Sequence, residues 1–543
     1  MRAVCRRIIT AELPLLLLVS PALLFPRGPL PLAGLVAILV LWLARLVGYR
    51  RVTLATPLDF PMLILLAMSL QALYPSTDLT LSMPKLYGIV LGVAVYYAVV
   101  NQVTNPRRWW IGVYALLPAA LGVAAVGLVS TDWITDKLPH GAALYAHIPR
   151  LVQSVQSSSG PIAGIQPNEL GGTLAFLLPV AVGVVLWSVG RRRGDGETGR
   201  GGELRTQNSE PSALTPTLSQ RERESTQRLA HSTRLPILAG MTLLVAGPVL
   251  ILTQSRSSLL GFAVAVALLV GLRWRRLGFM ILAAVAVGGA VGAVAGREVI
   301  TRWVLQIDYV GDVSSKFAGR EEIWSRAIYM IQDFPFTGVG LNTFPKVLMS
   351  LYPSASIGSA ADVPHAHNIY LQAAVDLGLA GLMAFVGICL MTLWLAVRTY
   401  RRADGPARGA IAGLGAGFLA YMVYGLTDAI TLGAKPLVLL WVMVGLIVAG
   451  NRLLNDGETG RTQNLQPSPR PSPKGRGSTQ HAALSTQHSE PRTQNGRPAP
   501  GTRLRFVVVE AGKTLWVLYW TVTVLFAVMA YAVVGMAITG WMP

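Results

Sequence analysis

Apolar residues in this chain come in blocks rather than in alternation. Stretches rich in Leu, Val, Ala, Ile and Gly recur from the first residues almost to the last, separated by short polar breaks. Crossing a bilayer as a helix takes about 20 mainly apolar residues. On that measure the expected spans are 8–25, 30–48, 58–75, 84–103, 109–129, 168–189, 235–253, 257–272, 277–296, 368–397, 409–428, 433–450 and 513–538. The leucine run behind Arg2, Arg6 and Arg7 also has the layout of a signal peptide, but the many spans that follow predict a first helix that is kept. The pattern therefore predicts an all-α integral membrane protein with about 12–13 transmembrane helices.

Composition agrees. Of 543 residues, 52% are apolar and 13% charged, against about a quarter charged in an average soluble domain. A soluble globular enzyme is excluded. Cys5 and Cys389 are too few and too far apart for a disulfide framework or a zinc cluster. The net charge of +20 is set by topology rather than by nucleic acid. Arg45, Arg50 and Arg51 follow the second span, Arg107 and Arg108 the fourth, and Arg191, Arg192 and Arg193 the sixth. Arg273, Arg275 and Arg276 follow the eighth, and Arg398, Arg401 and Arg402 the tenth. Cytoplasmic loops keep such excesses. The N-terminus is thus expected inside a plasma membrane, with loops 130–167, 254–256 and 298–367 outside.

Two stretches, 194–233 and 451–503, lack apolar periodicity and share text. Gly196-Glu197-Thr198-Gly199-Arg200 recurs from Gly457 to Arg461, and R-T-Q-N begins at Arg205, Arg461 and Arg492. Both are expected to be disordered cytoplasmic insertions. They separate an N-terminal block of six spans, 1–193, from a region 234–450 expected to carry the chemistry, and that from an extra C-terminal helix in 504–543.

Polar residues at membrane depth are costly and mark candidate sites. Four groups qualify, all expected outside: Gln166-Pro167-Asn168-Glu169, Gln254-Ser255-Arg256-Ser257-Ser258, Gly319-Arg320-Glu321-Glu322 with Trp324, and His365-Ala366-His367-Asn368 running into Tyr370, Gln372 and Asp376. In the large loop, Arg320 to Asp333 has helical periodicity, with Ile323, Ala327, Met330 and Ile331 on one side. Asp333-Phe334-Pro335 ends that helix, and Gly338-Val339-Gly340 makes a turn before Leu341-Asn342. Singly, each group has a plainer explanation. Arg256 suits a headgroup anchor, Arg320 a solvated helix start, Asn168 and Glu169 a helix cap, and Asp376 and Asp428 partners for neighbouring polar groups. His365 and His367 suit a metal, but the neighbouring sequence offers no cysteine or tight carboxylate cluster. Their joint placement on one face outweighs these separate explanations.

Two arginines and a histidine on the outer face suit a substrate with an anionic leaving group. Arginine holds phosphate bidentately and keeps its charge, while histidine accepts a proton from an attacking hydroxyl. A lipid-linked diphosphate sugar also supplies activation where there is no ATP.

The sequence resembles the O-antigen ligase and O-antigen polymerase family of bacterial membrane glycosyltransferases. His367-Asn368, nine residues, Gly378, two residues and Gly381 is similar to the ligase signature H-[NSQ]-x9-G-x-x-[GTY]. Arg256-Ser257-Ser258-Leu259-Leu260 resembles the family's R-x3-L element. Gly319-Arg320 with Trp324, then Asp333-Phe334-Pro335 and Gly338 to Phe344, resembles the segment leading to the loop histidine, and Pro167-Asn168-Glu169 matches an earlier span. The resemblance implies a C-type glycosyltransferase-like bundle with a large helical periplasmic loop. It implies no cofactor or metal, an undecaprenyl-diphosphate-linked glycan donor, a glycan or lipid acceptor, and surrounding membrane lipids. Arg256, Arg320 and His367 would be catalytic, the arginines on the diphosphate and the histidine as base. Asn168, Glu169, Ser255, His365, Asn368, Tyr370, Gln372 and Asn342 would bind substrate. A polysaccharide repeat-unit polymerase is the alternative within the family. A solute transporter, suggested by the span count and Asp376 and Asp428, is the alternative outside it, and predicts polar groups at the midplane.

Overall fold

A computed structural model of the chain describes residues 2–131, 133, 155–157, 160–162, 165–189, 234–281, 283, 287, 310–353 and 363–464. The chain divides into two units. The first comprises Met1–Pro211 with Thr217–Leu454; the second, Ser212–Pro216 with Asn455–Pro543, lies outside the described residues apart from 455–464.

In the first unit the elements run α1 (Arg2–Thr10), α2 (Glu12–Leu24), α3 (Leu30–Tyr49), α4 (Asp59–Gln71), α5 (Leu79–Gln102) and α6 (Pro106–Ser130). A two-stranded antiparallel ribbon follows, β1 (Val155–Ser157) with β2 (Gly160–Ile162), and then α7 (Pro167–Val189), α8 (Arg234–Leu252) and α9 (Arg256–Arg273). The last elements are α10 (Val310–Asp333), α11 (Phe344–Leu351), α12 (Ile369–Arg402), α13 (Gly405–Tyr424) and α14 (Leu437–Asn464), whose residues from Asn455 on belong to the second unit. The protein is an all-α integral membrane protein. Among the described residues, eight helices are long and apolar enough to span, or nine if α1 and α2 count as one bent span.

The differences from the expected spans have local causes. α1 and α2 meet at 67°, because Pro14 has no N–H to give the Thr10 carbonyl and its ring clashes there. α4 has 13 residues, about 20 Å of helix, short of the ~30 Å hydrocarbon core. α13 is a 20-residue helix but does not rank with the spans, its apolar run being diluted by Pro406, Arg408 and several glycines. α14 continues through the boundary expected at 450, as far as Asn464. The expected span 277–296 falls mostly outside the described residues, and 513–538 wholly so. Arg45, expected as a loop charge, is instead buried inside α3, its Nη2 2.5 Å from Glu12 Oε2.

Lipid is as apolar as leucine, so helices in a membrane associate by close fit rather than by hydrophobic transfer. α13 packs most extensively on α7, and α9 packs on both. Small residues make that approach possible: a Cβ at Gly417 would lie 2.2 Å from Phe176 O, and one at Gly413 2.8 Å from Pro179 O. α12 packs against α4, α13 and the loop helix α10. The four α10 residues expected on one side, Ile323, Ala327, Met330 and Ile331, are all buried.

Candidate active site

One end of the bundle gathers the starts of α5, α7, α9, α12 and α14 with the ends of α8 and α13. Hydrogen bonds tie these termini together. Tyr424 Oη donates to Asn168 O at 3.2 Å, and Ser257 Oγ lies 2.8 Å from Thr427 Oγ1. Ile369 N donates to Gly425 O at 2.8 Å. At the opposite end, Arg452 donates to Val103 O at 2.6 Å and Arg273 to Leu186 O at 3.3 Å.

The large loop is fixed on this end by a glycine pair. Gly338 and Gly378 have φ of 64° and 69°, the left-handed side that glycine tolerates. A Cβ at Gly338 would lie 2.5 Å from Val375 O, and one at Gly378 2.7 Å from Phe336 O. Gly378 breaks α12, and the turn 335–339 fills the break. Leu379 N donates to Pro335 O at 2.7 Å and Val339 N to Val375 O at 2.8 Å. Gly378, separated from His367-Asn368 by nine residues, is therefore a docking joint. Gly340, with φ of 105°, sits against Ser76, and Ser82 Oγ donates to Leu341 O at 2.6 Å.

His367 lies just before α12 in a left-handed conformation, φ 48°. The other non-glycine residues with positive φ among those described are Arg50, Gln254 and Asn342, so three of the four lie at this end of the bundle. Such conformations store about 1–3 kcal/mol each and collect at functional sites. The His367 Nδ1 is 3.3 Å from Asp428 Oδ1, and the His367 backbone N–H donates to His365 Nδ1 at 3.2 Å. The two imidazoles meet edge to face with centroids 4.5 Å apart. Asp428 is 2% exposed; Oδ1 accepts from Ala429 N at 2.9 Å, while Oδ2 is buried with no hydrogen-bond partner among the described residues. Burial works to raise the Asp428 carboxyl, but the hydrogen bond and charge of His367, the charge of His365 and the Ala429 N–H outweigh it and hold it below its usual range. Burial, and then the neighbouring His367, push His365 down to about 3, with Asp428 opposing and Lys85 and Arg320 adding to the shift. A buried carboxylate beside Nδ1 favours the tautomer with Nδ1 protonated and a free lone pair on Nε2.

Of the residues expected to be catalytic, Arg320 is half-buried in α10 with its charge reaching His365 and Tyr424, and His367 lies against His365. Arg256 is exposed in the first turn of α9, next to Ser257 at the Thr427 contact. Several of the residues expected to bind substrate are engaged in structure. Asn368 caps α12, its Oδ1 accepting from Tyr370 N at 2.9 Å and Leu371 N at 3.0 Å, and its Nδ2 donates to Leu426 O at 3.0 Å. Tyr370 Oη donates to Met422 O at 3.2 Å. Gln372 accepts from Ala366 N at 2.7 Å and donates to Asp376 Oδ1 at 2.8 Å. Asn342 N donates to the same Oδ1 at 3.3 Å, and Ser255 Oγ accepts from Ser258 Oγ at 2.8 Å. Glu169 is half-buried in the first turn of α7.

Two features escaped sequence reasoning. Lys85, in α5, donates to Thr431 Oγ1 and lies within electrostatic reach of Asp376 and Glu169. Its only signal was a lone lysine inside an apolar run. The His367–Asp428 pair joins residues 61 apart, so the carboxylate missing beside His365 and His367 in sequence is supplied by the fold.

A polytopic membrane protein with arginine, paired histidines and a buried carboxylate at one end of its bundle is the class these observations define. Residues 241–386 match the family model described as O-antigen ligase. The matched segment contains Arg256, Arg320, His365, His367 and Gly378, while Lys85, Asn168, Glu169 and Asp428 lie outside it. Together with the eight helices among the described residues that are long and apolar enough to span, the match shows a multi-pass membrane protein carrying an O-antigen ligase-like segment. No curated protein matches the chain.

Proposed function

We propose that the protein transfers a glycan from an undecaprenyl-diphosphate carrier to an acceptor hydroxyl outside the cytoplasm, without a metal and with inversion at the anomeric carbon. His367 Nε2 takes the proton of the acceptor hydroxyl as its oxygen attacks the anomeric carbon. The bond from that carbon to the diphosphate oxygen breaks, and the diphosphate leaves with the electron pair. Arg320 and Arg256 neutralise the departing charge. Asp428 holds the His367 ring and stabilises its cationic form.

The observation that carries this proposal is the contact of His367 Nδ1 with the buried Asp428 carboxylate at 3.3 Å, with the Arg320 charge reaching the neighbouring imidazole. A base oriented by a carboxylate, beside a permanent cation, is what a hydroxyl attack on a diphosphate-activated sugar requires. The outward orientation is supported by the basic clusters of the opposite end. Polar groups at one end, rather than at the midplane, do not favour a transporter.

The test is transfer by the purified full chain from a purified lipid-linked glycan in EDTA, with acceptors added one at a time. Product on a lipid acceptor marks a ligase, and a ladder of glycan lengths without added acceptor marks a polymerase. Dependence on a divalent metal would refute the proposed mechanism.

A further inference from the structure

His365, His367 and Asp428 converge from two loops, before α12 and after α13, and one potential ligand atom from each lies within 4.8 Å of the others. Two imidazole nitrogens and one carboxylate oxygen are the donor set of three-ligand zinc sites that keep a fourth position open. A tetrahedral zinc with bonds of ~2.0–2.1 Å needs ligand atoms about 3.3 Å apart. His367 Nδ1 and Asp428 Oδ1 are already 3.3 Å apart. The His365 ring meets that of His367 edge to face, and a metal there would draw its ring nitrogen closer to the pair, at the expense of the bond from the His367 backbone N–H if Nδ1 is the ligand. A second, independent observation points to a ligand: Asp428 Oδ2 is buried without a hydrogen-bond partner among the described residues, in a residue 2% exposed. A buried carboxylate oxygen left unpaired is costly unless something cationic meets it.

We infer that these three residues form an inhibitory zinc-class site built over the base itself. A zinc ion on His367 Nδ1 leaves the ring's proton on Nε2, where the lone pair that would accept the acceptor proton must be, so binding and transfer exclude each other. Softness sets the selectivity: two imidazoles favour zinc, cobalt, nickel or copper over magnesium, which prefers oxygen ligands and keeps its waters. Arg320 and Lys85, whose charges reach His365, oppose a cation, so the site fills reversibly rather than serving as a permanent structural metal. Metal binding stands on geometry alone; only its inhibitory consequence rests on the transfer reaction proposed above.

The experiment titrates the purified full chain with cobalt(II), read by the visible absorption of a tetrahedral cobalt centre, and with zinc(II), read by competition with a chromophoric chelator. Wild-type protein should bind both. His365→Ala, and Asp428→Asn as the shape-preserving second variant, should each weaken binding at least about tenfold, while both still elute as folded protein in detergent. Magnesium in excess should not displace cobalt. No tetrahedral cobalt spectrum in the wild type, equal zinc affinity in both variants, or displacement by magnesium would each overturn the site. In a parallel transfer assay zinc should inhibit and EDTA should restore activity. Zinc bound at this site with transfer undiminished would refute His367 as the base while leaving the metal site standing.

Discussion

Replacing Gly378 by alanine tests whether the broken helix sets the site. At φ 69° and ψ −178° the residue sits in a region open essentially to glycine alone, which costs an alanine about 1–3 kcal/mol. The new Cβ would also lie 2.7 Å from Phe336 O and 2.9 Å from Pro335 O. Those are backbone atoms of the turn that fills the break, so relief means moving the turn, an overpacking cost of about 1–3 kcal/mol. Together the loss is about 2–6 kcal/mol. The displacement does not stay local. Gln372 and Asp376 lie less than two turns before the break, and Gln372 holds Ala366 N, the residue next to His367. A shift of ~1 Å at a reacting group can cost about a hundredfold in rate. Gly378→Ala should therefore melt earlier by fluorescence-detected size exclusion, and the fraction that stays folded should transfer glycan at about a hundredth of the wild-type rate. Gly240→Ala is the control, since a Cβ there meets nothing within 4 Å. A Gly378→Ala protein that melts and transfers like Gly240→Ala would refute the joint.

Three further outcomes follow from the contacts. Asp428→Asn keeps the shape but removes the charge that holds the His367 ring, and should lower the transfer rate about a hundredfold or more, measured on protein shown to be folded. Lys85→Met leaves Asp376 without its nearby cation and Glu169 with Lys435 alone, so it should destabilise more than the double variant Lys85→Met/Asp376→Asn, read as a coupling in melting temperature. Asp78, at the start of α5, pairs with Lys346 of α11, and its hydrogen bonds from Lys346 and Thr80 hold its carboxyl well below the usual range. A depressed acid contributes stability that is complete above its unfolded pKa of about 3.9 and fades as pH falls through the lower folded value. The melting difference between wild type and Asp78→Asn should thus be constant from about pH 5 to 8 and shrink only in stronger acid.

Hydropathy made the spans legible because each long helix must bury its own backbone and present apolar side chains to lipid. The same blocks misled at Arg45. A charge near a span end scores as a loop residue, and only packing shows Glu12 of another helix within 2.5 Å. The 58–75 run was apolar enough but too short once folded, because helix length depends on where caps and turns fall. In the site, His367, Arg320 and Gly378 were legible through a spaced motif, although Gly378 was no more than a position in it until the break in α12 gave it a reason. Lys85 and Thr431 are 346 residues apart, and no local pattern links them. Asn368, Tyr370 and Gln372 were noticed for their polarity, and the structure has each bonded to neighbouring backbone or side chains.

The most direct test of the account measures glycan transfer by His367→Ala, Arg256→Ala and Arg320→Ala beside the wild type, in membranes where each variant inserts to the same level. The account predicts transfer by the wild type and none by any of the three. Undiminished transfer by His367→Ala would contradict it.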